Sequence, residues 1–406
     1  MRRPIGPIRR KTGRWQDIMR QTASILALLA GLAAAPAAIA AQAAQAPAAP
    51  VVIEGPETVV FDPRTDACDG YDVPDVPPRA FRDASGQVRL FALHFENRAL
   101  AGASTDALKI DCKVVFRGGR NADPARYDDK SWIAATWTPD GKVVHGLVHH
   151  EYQANAHPGR CVYQDYMPCW YNSILAIRST NGGRSFEKLA RPVVASSPFE
   201  QHIGQGRHRG FFNPSNIVSD GVWHYMIAST TGWSGQPSGA CLFRTDNIAE
   251  PTRWRAWNGT GFETRFGDPY RKDGDPSRTC RPLPPFPAPV GSISRHRPSG
   301  KWVAVFQASG DGRQFPTSGI YAAVSADLIN WSSPRRVLET KTLYDNPCGA
   351  THLNSYPALI DRDAQTRNFE DVGETAELYL SRMRIDGCKH TGERVLVKTG
   401  VRLNVR

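Results

Sequence analysis

One unit recurs along the chain and constrains its fold more than any other feature. It is a short strand, a tight polar turn carrying glycine, and a second apolar strand. It reads RAFRDASGQVRLFALHFE at 79–96, SWIAATWTPDGKVVHGLVHHE at 131–151, NPSNIVSDGVWHYMIAST at 213–230 and GSISRHRPSGKWVAVFQAS at 291–309. A fifth copy, SYPALID then ELYLSRMR, has its turn expanded by RDAQTRNFEDVGETA. Turns such as Pro-Asp-Gly and Ser-Asp-Gly have hairpin chemistry, and the flanking residues alternate as strands do.

A third strand follows in most copies: SILAIRSTNGGRSF, GACLFRTDNIAEPTRW and SGIYAAVSADLINW each run from a strand through Ser/Thr and Asp/Asn to an aromatic residue. In that pattern the short polar side chain caps a turn and the aromatic packs between sheets. Repeated sheet units of this size predict an all-β chain, a five-bladed β-propeller of four-stranded antiparallel blades around a channel, containing disulfides.

Residues 1–43 read as a secretory signal peptide, with a basic start, an Ala/Leu-rich apolar run from Ser24 to Ala40, and Ala-x-Ala cleavage candidates. A membrane anchor fits less well because the apolar core is short and holds Pro36. Residues 44–70 read as a linker and N-terminal extension, and 71–406 as the propeller. The leader carries +6 of the net +11, so the mature chain holds only a mild, scattered +5 and no nucleic-acid footprint. No membrane span is expected in the mature protein, which should be a secreted or periplasmic monomer. Eight cysteines lie beyond the leader, and an even number in an exported chain favours disulfides over zinc. Each successive pair falls in one local segment, which suggests 68–112, 161–169, 241–280 and 348–388.

The segment STNGGRSF (179–186) is similar to the Asp-box of sialidases, with Asn181 at the Asp position. SADLINW and the YPALI strand start resemble five-bladed propeller glycoside hydrolases of the arabinanase, fructosidase and levansucrase type, over about residues 75–406. The resemblance implies glycosidic bond cleavage in a central funnel. It implies a base Asp from the first blade, a modulating Asp, and an acid Glu from later blades.

In each blade the start of the first strand and the end of the second meet at one face of the ring. This places His149, His150 and Glu151 of VHHEYQ on the channel rim beside Asp128 and Asp129. Side-chain alternation puts His149 and Glu151 on one face, and His150 and Tyr152 on the other. Two-carboxylate chemistry then assigns Glu151 as acid, Asp129 as base or nucleophile and Asp128 as its modulator. The first copy offers Glu96 rather than an obvious Asp, so Glu96 is the alternative partner.

Arg79, Arg209, Asn213, Tyr356 and Arg382 also fall at the rim, as do Trp170 and Trp233 in polar loops, all candidates for substrate binding. Arg207, His208 and Arg209 would suit a carboxylate or sulfate on a sugar, so the expected partner is a carbohydrate, anionic or neutral. No cofactor is required and no metal ligand set is assigned, although the resemblance implies room for Ca2+ or another cation in the channel near His149. Two other readings stay open: a non-catalytic propeller that binds carbohydrate or a cell-surface partner, and a sialidase-like enzyme. The latter would use Arg79, Arg209 and Arg382 as a carboxylate-binding trio and Tyr356 as nucleophile.

Overall fold

The computed structural model describes residues 49–201 and 208–406. The proposed leader and Arg207 lie outside the described residues.

The chain is a ring of five antiparallel meanders. Strand β1 (Val51–Phe61) comes first. Blade 1 holds β2 (Arg79–Arg82), β3 (Val88–Phe91), β4 (Leu100–Gly102) and β5 (Lys109–Ile110). Blade 2 holds β6 (Lys130–Trp137), β7 (Val144–Gln153), β8 (Trp170–Ser179) and β9 (Glu187–Ala195). In blade 3 the inner strand is broken into β10 (Arg209–Phe212) and β11 (Val218–Ser219), both paired with β12 (His224–Thr230). Outside them lie β13 (Gly239–Thr245), β14 (Arg255–Trp257) and β15 (Phe262–Thr264). Blade 4 is β16 (Val290–His296), β17 (Trp302–Ala308), β18 (Gly319–Ser325) and β19 (Arg335–Glu339). Blade 5 is β20 (His352–Ile360), β22 (Thr375–Asp386) and β23 (Lys389–Leu403), and short β21 (Asp371–Val372) pairs with β16.

Apolar clusters fill the gap between each blade and the next. Phe91 meets Val148 between blades 1 and 2. Ile174 meets Phe211 between 2 and 3, and Leu242 meets Phe306 between 3 and 4. Val305 meets Leu378 between 4 and 5, and Leu396 meets Leu90 between 5 and 1. Because every blade is apolar on both faces, the sheets are stable only as a closed ring.

Closure corrects one expectation. Residues 51–61, read above as linker, form the outermost strand of blade 5, with Val51 opposite Leu403 and Phe61 opposite Leu396. The first and last segments of the chain thereby share one sheet. The Gly55-Pro56 break hides the strand in the sequence, and the register shifts there.

The turn motifs act as expected. Asp140 Oδ1 accepts the Lys142 and Val143 N–H groups, and Asn181 Oδ1 accepts those of Arg184 and Ser185. All four disulfides join the cysteines paired above: 68–112, 161–169, 241–280 and 348–388.

The expanded turn of the fifth copy closes the lower end of the channel. Arg367 donates to the carbonyls of Arg82 and Asp83 in blade 1, and Asn368 bonds both backbone groups of Thr138 in blade 2. Glu370 accepts the Ser219 N–H of blade 3, and Asp371 pairs with Arg297 of blade 4. Four blades are thus latched by four residues of the stretch 367–371.

Candidate active site

Blade 2 supplies the first half of the upper mouth. Lys130 lies opposite Glu151 and Trp132 opposite His149, so these four side chains share one face of the sheet. His149 Nε2 lies 2.8 Å from Glu151 Oε1. Gln153 Nε2 donates to Glu151 Oε2 (2.6 Å), and Lys130 Nζ donates to Gln153 Oε1 (2.6 Å). From blade 3 the Asn213 N–H donates to His149 Nδ1 (3.1 Å). That bond leaves the imidazole proton on Nε2, directed at Glu151. The Asn172 amide sits 3.1 Å from the same nitrogen and also contacts His208, which stacks on Trp170. Burial pushes His208 down to about 4.

The approach of blade 3 to blade 2 depends on Gly210. Strand β10 runs parallel to β8 there, with Gly210 beside Asn172. Gly210 has φ +110, and a Cβ on it would stand 1.9 Å from the Asn172 carbonyl oxygen. Gly210→Ala is therefore expected to separate the strands, withdraw the Asn213 amide from His149 and lower stability by more than about 1 kcal/mol, read by thermal unfolding.

Blade 1 supplies the second half through Asp75, four residues ahead of β2. The Trp132 indole donates to Asp75 Oδ2 (3.1 Å), and His94 Nε2 lies 3.3 Å from that oxygen. Arg394 of β23 pairs with Asp75 Oδ1, and the Tyr356 hydroxyl is 3.5 Å from it. The Trp132 ring, bonded to Asp75, stands 5.8 Å from the His149 ring. Burial pushes the Tyr356 phenol well above its ordinary value, and the Asp75 and Glu151 carboxylates add to the rise. Both carboxylates therefore act on one mouth. Asn213 and Tyr356 hold positive φ values of 46° and 57°, a strain that side-chain contacts at functional sites often sustain.

Other candidates are placed elsewhere. Asp129 projects from the opposite face of blade 2, 2 % exposed, where its Oδ2 accepts the Gln153 N–H and lies 2.9 Å from His157 Nε2. It does not share a site with Glu151, because side chains one residue out of phase leave a sheet on opposite sides. His150 is fully buried on that same side, accepting the Asp129 N–H, and burial pushes it down to about 3. Asp128 accepts the Gly119 N–H and faces Lys188. Glu96 pairs with Arg117 over a pocket of about 300 Å³ that Lys130 also lines.

The three arginines do not converge. Arg79 is buried on the ring axis, Arg209 lies over the Phe199 ring, and Arg382 is paired with Glu57 between β22 and β1. Trp233 packs into the core against Phe211 and Phe266, whereas Trp170 is half-buried under His208. Sequence reading missed Asp75, Arg394 and Asn172. The available signal for Asp75 was an acid set among Pro74, Pro77 and Pro78 directly upstream of an inner strand.

Beside Arg394 a groove of about 680 Å³ runs over blade 5, lined by Arg64, His352, Arg382, Arg384 and Glu393 among others. Among the described residues, no group of three or more His, Cys, Asp and Glu side chains is arranged to hold a metal ion, and no helix is long and apolar enough to cross a membrane.

No protein-family model matches the chain, and no curated protein matches it. Among solved structures it is similar to the α-L-arabinofuranosidase PaAbf62A of Podospora anserina in complex with cellotriose. The identity there is 10%, over 86% of this chain and 97% of that one, with a TM-score of 0.45. It is also similar to the Cellvibrio cellulosa α-L-arabinanase complexed with arabinohexaose (12% identity, 81% and 92% covered, TM-score 0.43). A third similar structure is the Bombyx mori GH32 β-fructofuranosidase BmSUC1 (12% identity, 83% and 62% covered, TM-score 0.43).

Proposed function

We propose that this chain is a glycoside hydrolase whose reacting groups are Asp75 and Glu151. The observation that supports it is the convergence of two carboxylates from different blades on one closed-floored mouth, linked through Trp132 and His149. Glycosidic cleavage needs one carboxyl group to protonate the leaving oxygen and a second to act as base or nucleophile. Glu151 is assigned the first role by its place across the mouth from Asp75, with His149 and Gln153 positioning its two oxygens. Asp75 suits the second, because the Arg394 guanidinium and the Trp132 N–H hold it as an oriented carboxylate.

The groove beside Arg394 supports a substrate carrying carboxylate or sulfate groups, since its exposed ion pairs are weak enough to exchange for such anions. Four disulfides support export to an oxidising compartment. Exposed rings around the mouth, Tyr71, Tyr163, Tyr166 and Phe199, favour a second reading as a non-catalytic carbohydrate binder.

A hydrolysis screen over neutral, uronate-bearing and sulfated polysaccharides, run beside Glu151→Gln, separates the two. Turnover lost in the variant with binding retained supports the hydrolase. Binding without turnover in either protein makes the mouth a lectin-like site.

A further inference from the structure

The ring axis holds a second polar site, below the mouth. A small, partly open cavity of about 10 Å³ is lined by Arg79, Thr136, Asn216, Ser292 and Leu359, one from the inner segment of each blade, with Asn368 and Phe369 beneath. Arg79 is 2 % exposed and donates to three carbonyls: Ala134 from Nε, Pro78 from Nη1 and Pro214 from Nη2. A guanidinium carries five N–H groups, so two remain. Among the described residues no carboxylate comes within ion-pair distance of it, and burial alone pushes it down to about 9.

The Thr136 hydroxyl, 3 % exposed, is buried with no hydrogen-bond partner among the described residues. Ser292 Oγ accepts the Leu359 N–H, which leaves its own hydrogen to donate. By contrast the amides of Asn216 and Asn368 are satisfied by Ile293 and Thr138.

We infer that this cavity is a binding site for a single halide ion, chloride under ordinary conditions. A buried cation without a counter-charge is costly, and the remaining guanidinium N–H groups and the Thr136 and Ser292 hydroxyls can each donate to an anion. The small volume suits one atom-sized occupant. The same guanidinium repels Ca2+ or any other cation at this depth, so the cation implied by the resemblance does not belong on the axis. The site lies apart from Asp75 and Glu151, and it stands whether or not the mouth hydrolyses glycosides.

Crystals of the purified chain grown in sodium bromide should show one anomalous peak on the axis, within hydrogen-bond reach of Arg79 and Thr136. In solution Tm should rise saturably with chloride or bromide but not with gluconate at equal ionic strength. The rise should reach several degrees near a hundredfold excess over the dissociation constant. Thr136→Val, which keeps shape and loses the donor, should weaken halide binding at least about threefold. No axial peak, with equal Tm in chloride and gluconate, overturns the site and leaves ordered water as its occupant.

Discussion

Asp75→Asn is expected to lower kcat by roughly 10²–10⁴-fold while leaving substrate binding within a few fold of wild type. The amide keeps the shape and can still accept the Trp132 N–H through its oxygen. It removes the negative charge that Arg394 holds in place and that would take a proton from water or bond to the sugar. Asp129→Asn is the control, because Asp129 occupies the opposite face of blade 2. That change should leave kcat nearly untouched. It weakens the bonds from Gln153 and His157, and a cost of about 1–3 kcal/mol should appear in thermal unfolding. Turnover and calorimetric binding on both variants decide the matter. Near-wild-type kcat in Asp75→Asn, or an equal loss in Asp129→Asn, would sink the assignment.

The contrast between these two acids shows what the sequence can carry. Local chemistry was legible: Gly-bearing turns mark the hairpins, strand alternation separates Glu151 from His150, and segmental spacing pairs all eight cysteines. Asp129 misled because two acids adjacent in sequence to an inner strand need not leave it on the same side. The residues that complete the mouth come from ring closure, which no periodicity encodes. Arg394 sits 319 positions from Asp75 and Tyr356 sits 281 away, and both reach it only because the fifth blade returns to the first. Arg382 looked equally well placed on β22, yet Glu57 of β1 captures it, and β1 itself is hidden by Gly55-Pro56. The expanded turn of the fifth copy was visible as an irregularity. Its role as the floor of the channel required knowing which strand ends lie beneath it.

That floor should make stability depend on pH through Glu370. The side chain is 8 % exposed, and burial pushes its carboxyl from the usual 4.5 up to about 7, against the lowering effect of the Ser219 N–H. The native state then keeps a proton that the unfolded chain has lost, so this group's contribution falls as pH rises from about 4.5 to about 7 and levels off above. A shift of this size corresponds to about 3 kcal/mol. Two histidines slope the other way: desolvation pushes the half-buried His145 to about 4 and the buried His150 to about 3, so they favour the native state as pH rises towards their ordinary range. The clean measurement is therefore a difference, wild type against Glu370→Gln, by denaturant unfolding at pH 4.5 and 7.5. Glutamine keeps an acceptor for Ser219 and cannot ionise, and Asp371 and its Arg297 partner are common to both proteins. The variant should gain about 3 kcal/mol on wild type across the interval. A constant difference would mean that Glu370 ionises freely and that the floor is not sealed around it.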